Sequence, residues 1–304
     1  MSGHDAKSID DDNHGGTMSE HDGSATGPLV RSAREVRRFL AGLSPDAVNL
    51  LDVRQDWEYR EFHLPGAMLV PLGELPDRLH EIDRKKPTVT YCRTGRRSFS
   101  AAMILAGQGF SPVVNMAGGI VAWPGAGAIG PVDQGLFLVP PELDPEGVFR
   151  LAYAMEKRLG RFYEVQAGIA VDPEVSETFR RLAGFEDKHK HMVLALWRKS
   201  GAAVPDQIER DAEESEAAQD MVLEGGLPGE IYLAGRGGGP SNPVEVLELA
   251  MAVEAQALDL YSRGARLMES PESREALVRL AGEEKGHLAA LSTLLDRMSP
   301  NPVS

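Results

Sequence analysis

The sequence predicts two domains of different class: an α/β domain with a central, mostly parallel sheet flanked by helices, then an all-α four-helix bundle. Three observations predict this. Short apolar strand patterns alternate with helical ones up to about residue 125, long heptad seams follow from about residue 145, and the second half repeats itself at a spacing of 98 residues. With 304 residues and 42% hydrophobic content, the chain is long enough for two cores.

Residues 1–27 are polar, carry Asp10-Asp11-Asp12, Gly15-Gly16 and the irregularly spaced His4, His14 and His21, and are expected to be a disordered tail. In the domain over residues 28–127, strands are expected at Asn49–Val53, Ala67–Val70, Thr88–Tyr91 and Pro112–Asn115, with helices near 34–42, 73–82 and 97–108. A Gly- and Pro-bearing linker over 128–144 leads to the bundle, residues 145–298. There, two helical hairpins flank a long crossover at about 200–242, which includes Gly235-Arg236-Gly237-Gly238-Gly239-Pro240. Glu213, Glu214 and Glu216 in that crossover read as a solvated face.

The repeat is the feature of the bundle that points to chemistry. Glu156, Glu186 and His189 recur as Glu254, Glu284 and His287; Tyr163 pairs with Tyr261, Pro173 with Pro271, and Arg181-Leu182-Ala183-Gly184 with Arg279-Leu280-Ala281-Gly282. Val175, Phe179, Leu182, Glu186, His189, Val193 and Leu196 fall on one helical stripe, so Glu186 and His189 interrupt an apolar seam. Leu277, Leu280, Glu284, His287, Leu291 and Leu294 do the same, and Glu156 and Glu254 sit among Phe149, Ala152, Leu159, Leu247, Ala250 and Ala257. One Glu in such a place reads as a solvated face or a protonated, hydrogen-bonded network. Six residues in two matched sets read as a two-metal site, because four clustered carboxylates repel one another and each costs on the order of several kcal/mol to bury. Oxygen-rich ligands with some imidazole and no thiolate favour iron or manganese.

The segments MEKRLGRFY with FEDKH, and VEAQALDLY with EEKGH, resemble the rubrerythrin branch of the ferritin-like superfamily. The resemblance implies a centre of two iron ions, with manganese an alternative. Glu156 and Glu254 are then terminal ligands, Glu186 and Glu284 bridge the metals, and His189 and His287 complete one metal each. Tyr163 and Tyr261 become hydrogen-bond donors that orient the carboxylates. The chain departs from rubrerythrins in carrying Met251 where they place a further Glu, and in lacking rubredoxin-type Cys pairs.

Cys92, the only cysteine, stands where the apolar run Pro87–Tyr91 meets Arg93-Thr94-Gly95-Arg96-Arg97 and then a helical pattern beginning near Ser98. N–H groups at such a helix start, with three arginines nearby, are expected to lower the thiol pKa and to cradle an anion or persulfide. The four residues between Cys92 and Arg97 make a shorter loop than that of cysteine phosphatases, and it reads as the sulfur-handling version. With VNLLDVRQDWEYREFHLPGAMLVPL and MAGGIVAW, the loop CRTGRR resembles a single-domain rhodanese over about residues 29–126. The resemblance implies a sulfur-accepting Cys92, an anion cradle from Arg93 to Arg97, and loop support from Asp52 and Arg54. Glu58, His63, Gly66, Gly118, Gly119 and Trp123 match its other signatures, and Phe62 replaces a glycine usual before the histidine.

The expected function is a sulfurtransferase, using a thiosulfate or persulfide donor and a thiophilic acceptor, fused to a di-iron redox module served by an external electron donor. Peroxide or oxygen reduction with the first domain as sulfur source or dock is one alternative, and a non-enzymatic iron- or sulfide-responsive module is another. No apolar run approaches the roughly 20 residues of a membrane span, and the net charge of −14 argues against a general nucleic-acid binder. A cytoplasmic homodimer is expected.

Overall fold

The computed structural model describes residues 27–201, 203–212, 222–234 and 239–298. The expected tail at residues 1–26, the glutamates 213, 214 and 216, and glycines 235, 237 and 238 lie outside the described residues.

The first domain is a five-stranded sheet in the order β1-β5-β4-β2-β3. Its strands are β1 (Leu29–Ser32), β2 (Asn49–Asp52), β3 (Met68–Leu69), β4 (Thr88–Tyr91) and β5 (Val113–Ala117). Every pairing is parallel, as an α/β sheet with crossover helices requires. β2 and β4 are buried along their whole length, and so is β5 from Val113 to Met116, with the polar Asn49, Asp52, Thr88, Thr90 and Asn115 buried beside the apolar residues. Helices α1 (Ala33–Ala41), α2 (Asp56–Glu61), α3 (Leu75–Arg78) and α4 (Arg96–Gly107) cover the sheet. α1 starts on a capping box: Ser32 Oγ accepts from the Glu35 N–H, and the Glu35 carboxylate accepts from the Ser32 N–H. Two elements were not expected. The edge strand β1 shows only Leu29 partly buried, and α2 lies in a charged stretch that carries no long apolar period.

The second half is helical, with two pairs of long antiparallel helices: α5 (Pro145–Ile169) with α6 (Pro173–Lys199), and α8 (Pro243–Leu267) with α9 (Pro271–Met298). Each begins with proline in its first turn, where the missing N–H is no loss, and Asp144, Asp172 and Asn242 cap the first three by accepting backbone N–H bonds. The pairs meet through α5 against α9 and α6 against α8. The core around Phe149, Trp197, Leu260 and Leu277 lies on one side, and that around Leu159, Phe179, Val253 and Leu291 on the other. A short helix, α7 (Gly229–Ala234), lies in the crossover. No helix among the described residues is long and apolar enough to cross a membrane.

The halves are held together by buried polar contacts. Asp259 of α8 is fully buried, receives the Arg263 guanidinium at 2.7 Å, and accepts the Gly66 N–H at 2.8 Å. His63 Nε2 faces the same carboxylate at 3.4 Å, while its Nδ1 bonds the Tyr59 carbonyl. Gln256 brackets Ile129 by accepting its N–H at 2.9 Å and donating to its carbonyl at 3.0 Å, and Lys285 donates to the carbonyls of Leu40 and Leu43. His63 and Gly66, read in the sequence as parts of a local signature, thus also serve the junction.

Candidate functional sites: a thiolate loop and a carboxylate–histidine cluster

Cys92 follows β4 directly, and its loop closes at Gly95, whose φ of +93° makes it the left-handed cap that launches α4. This geometry turns backbone N–H groups toward the sulfur. The Gly95 N–H donates to Sγ at 3.1 Å, and Ser98 Oγ stands 3.5 Å away. Burial alone raises the thiol pKa; the Ser98 hydroxyl and the N–H groups of Ser98, Thr94 and Gly95 outweigh it, so the net shift is downward. Ser98 Oγ also donates to Asn115 Oδ1 at 2.7 Å, which leaves the backbone donors as the steadier part of the cradle.

Of the three arginines, Arg97 interacts with the Cys92 sulfur, which helps to keep its guanidinium charged. Arg93 and Arg96 are exposed, and Arg97 donates twice to Glu58, at 2.6 and 2.7 Å. The thiol is therefore tuned chiefly by dipoles and a hydroxyl, with Arg97 held at the rim by a carboxylate 39 residues away. Ser98 and Glu58 were not assigned these roles from the sequence. No sequence signal marks either role: Glu58 lies on α2, ahead of the loop in sequence, and a serine in the first turn of a helix is ordinary.

Asp52 and Arg54 form a buried bidentate pair, Arg54 Nη2 to Asp52 Oδ2 at 2.6 Å, and Arg54 also donates to the Phe62 carbonyl at 2.6 Å. The Arg54 guanidinium lies 5.7 Å from the ring of Tyr91, the residue before Cys92, so the support reaches the loop at one remove. Phe62 has a φ of −172°, extended backbone open to any residue, so no glycine is needed there. Gly119 is needed: a Cβ on it would lie 2.3 Å from the Cys92 carbonyl oxygen, which itself accepts the Ile120 N–H at 2.8 Å.

In the helical half, all six repeated residues converge. Glu156, Glu186, Glu254 and Glu284 are each at most 3% exposed. His189 Nδ1 lies 2.7 Å from Glu186 and 3.5 Å from Glu156; His287 Nδ1 lies 2.9 Å from Glu284 and 3.3 Å from Glu254. The two imidazoles stack with centroids 3.5 Å apart. Three overlapping groups of candidate ligand atoms, each group within 4.8 Å of itself, are Glu156/Glu186/His189, His189/Glu254/His287 and Glu224/Glu254/Glu284. Burial pushes Glu156 and Glu186 up to about 8, and it raises Glu284 and Glu224 strongly, with neighbouring carboxylates adding to each. Glu254 goes down, since the His287 and Glu284 hydrogen bonds outweigh its burial.

The tyrosines depart from the expected role. Tyr163 Oη is buried without a hydrogen-bond partner, and Tyr261 Oη donates to Met155 Sδ at 3.7 Å. Neither is bonded to a carboxylate, because the glutamates turn to the histidines instead. Glu224, in the crossover, is the cluster member that sequence reasoning missed. The position 98 residues before it is Ala126, so the repeat could not reveal it.

Residues 32–126 match the rhodanese-like domain family. The chain is 37% identical over 95 residues to a sulfurtransferase of Allochromatium vinosum, covering 31% of this chain and 81% of that one. It is 39% identical over 82 residues to the putative sulfur carrier protein YrkF of Bacillus subtilis, covering 27% of this chain and 44% of that protein's length. The crystal structure of a rhodanese-like domain protein from Staphylococcus aureus aligns at 29% identity with a TM-score of 0.29, covering 31% of this chain and 90% of that one. Through residues 32–126 the chain belongs to the rhodanese-like family, and its sulfurtransferase relatives support sulfur transfer as the chemistry of that domain.

Proposed function

We propose that the chain is a rhodanese-type sulfurtransferase whose helical half is a ferritin-like, rubrerythrin-type di-iron module. The observation that carries the first part is the Cys92 sulfur facing N–H donors at the start of α4, with its pKa lowered. Cys92 Sγ attacks the outer sulfur of a donor such as thiosulfate; a new S–S bond forms, the donor's S–S bond breaks, and sulfite leaves with the electron pair. The terminal sulfur of the persulfide then sits in the N–H cradle. An acceptor such as cyanide bonds that sulfur, the persulfide S–S bond breaks, and the electron pair returns to Cys92 as thiolate. The test is thiosulfate:cyanide turnover, which should vanish in Cys92→Ser; unchanged turnover in that variant removes the mechanism.

For the second part, the donor set fits a metal pair. Glu156 Oε2 and Glu224 Oε1 are buried with no hydrogen-bond partner, and the set holds oxygen and imidazole nitrogen but no thiolate. Glu156, Glu186 and His189 would hold one ion, and Glu254, Glu284 and His287 the other. Bound iron would supply a store of electrons, fed by an external donor. The protein's own part is to keep the carboxylates dry and oriented, with the stacked His189 and His287 rings fixing each other. Metal analysis of anaerobically purified protein tests this: two iron or manganese ions per chain are expected, and none would refute it.

A second reading, peroxide or oxygen reduction as the main reaction, is favoured by a cavity of about 280 Å³ beside the cluster, lined by Leu182, Phe185, Leu291 and Leu294 and reaching Glu186 and His287. Its apolar walls suit a small neutral oxidant. Peroxide consumption kept in Cys92→Ser and lost in Glu186→Ala would establish it.

A further inference from the structure

Among the described residues, one carboxylate reaches the cluster from outside the four long helices. Glu224 sits on a single helical turn, Glu224–Gly226, in the segment that crosses from one helix pair to the other. It is 1% exposed, its Oε1 is buried without a partner, and one of its oxygens lies within 4.8 Å of ligand atoms of both Glu254 and Glu284. A carboxylate in that position is costly unless a cation or a donor meets it.

The turn is built to hold it there. Leu223 N–H donates to the Leu227 carbonyl at 2.8 Å, and Gly226 N–H to that of Leu223 at 3.1 Å. Tyr232 Oη donates to the backbone carbonyl of Glu224 at 3.2 Å, and Gln134 Nε2 to that of Gly226 at 2.9 Å. Gly225 has a φ of +77°, and a Cβ on it would lie 2.2 Å from Gln256 Cγ, so only glycine lets the turn press this closely on α8. The backbone is fastened on three sides, and the side chain is delivered to Glu254 and Glu284.

From this we infer that Glu224 is a further metal ligand, bound to the ion held by Glu254, Glu284 and His287, and that the two ions are therefore unequal. The inference rests on the dinuclear reading above. Glu156, Glu186 and His189 form their group without Glu224, and the repeat offers only Ala126 at the matching position. The ion on the α8–α9 side thus gains an extra anionic oxygen donor and binds more tightly than its neighbour.

The test is an anaerobic titration of the metal-free full-length chain with Fe(II), and in parallel with Co(II), whose visible spectrum reports coordination. The parent protein should take up two ions in two resolvable steps. Glu224→Gln should weaken the tighter step by about tenfold or more, as removal of a carboxylate near a metal typically does, and change its Co(II) spectrum while leaving the weaker step within about twofold. Glu224→Leu, which removes the buried charge at similar volume, should lose the same step and carries the test if the Gln variant does not melt cooperatively. Two unchanged steps in either folded variant, equal weakening of both steps, or two identical steps in the parent would overturn the inference. A parent protein that binds no ion would instead overturn the dinuclear reading itself.

Discussion

The two halves of this chain build their candidate sites in opposite ways. In the rhodanese-like domain the backbone supplies the field: one sulfur receives N–H groups from a loop of contiguous residues, and the side chains around it, Glu58 with Arg97 and Asp52 with Arg54, are neutral pairs that hold the frame. In the helical half the field comes from side chains alone, because helical backbone bonds are already satisfied and only Glu and His tips reach the centre. A loop of dipoles stabilises one negative atom without net charge. A cluster of buried carboxylates has the reverse need, and a cation or protons must supply it.

That contrast breaks most sharply under exchange of lesions. Cys92→Ser should abolish sulfur transfer and leave metal uptake intact, whereas Glu186→Ala should remove at least one ion and leave thiosulfate:cyanide turnover unchanged; loss of both functions in either variant would mean the sites are not separate. The next effect is pH-dependent. In metal-free protein Glu156 and Glu186 are raised from 4.5 to about 8, so the folded state keeps protons that the unfolded chain releases over that window, and stability falls as pH rises through it. His287, raised to about 9 by the Glu254 carboxylate against the opposing effect of burial, is protonated below that pH and adds to the loss on the alkaline side. Melting curves at about pH 5 and about pH 8 should differ by on the order of several kcal/mol, and saturating Mn(II) should reduce the difference; a flat metal-free profile would contradict the account.

Asp259 tests whether the halves are one folding unit. Asp259→Asn leaves the buried Arg263 charge without its carboxylate and weakens the bond to the Gly66 N–H, so a loss of about 3 kcal/mol is expected, with calorimetry resolving two transitions in place of one. The smallest effect is at the sulfur loop. Glu58→Ala should free Arg97 and lower kcat/KM about tenfold, the scale of one charge-assisted hydrogen bond, while Cys92 still accepts sulfur.

How far each site could be read in the sequence follows from the same contrast. The sulfur loop is contiguous, so CRTGRR and its turn glycine carried it, and the α/β sheet followed from short strand patterns alternating with helical ones. The edge strand β1 escaped because it pairs on one side only and leaves Val30, Arg31 and Ser32 exposed, with no period to detect. The helical cluster is scattered over more than a hundred residues and was legible only because it occurs twice. Whatever lacks a second copy stayed hidden: Glu224 in the crossover, and Asp259, which looks like an ordinary helix-surface acid until His63 and Gly66 are seen against it. The role of Ser98 was hidden differently, since a serine one turn into a helix has no signature until a sulfur is placed beside it.

The central claim, that Cys92 is a sulfur-accepting thiolate held by backbone dipoles, is tested most directly by intact-protein mass spectrometry after brief treatment with thiosulfate. The protein should gain one sulfur atom, mapped to Cys92, removed by cyanide and absent from Cys92→Ser. A folded protein whose mass does not change, or whose gain persists in Cys92→Ser, would contradict it.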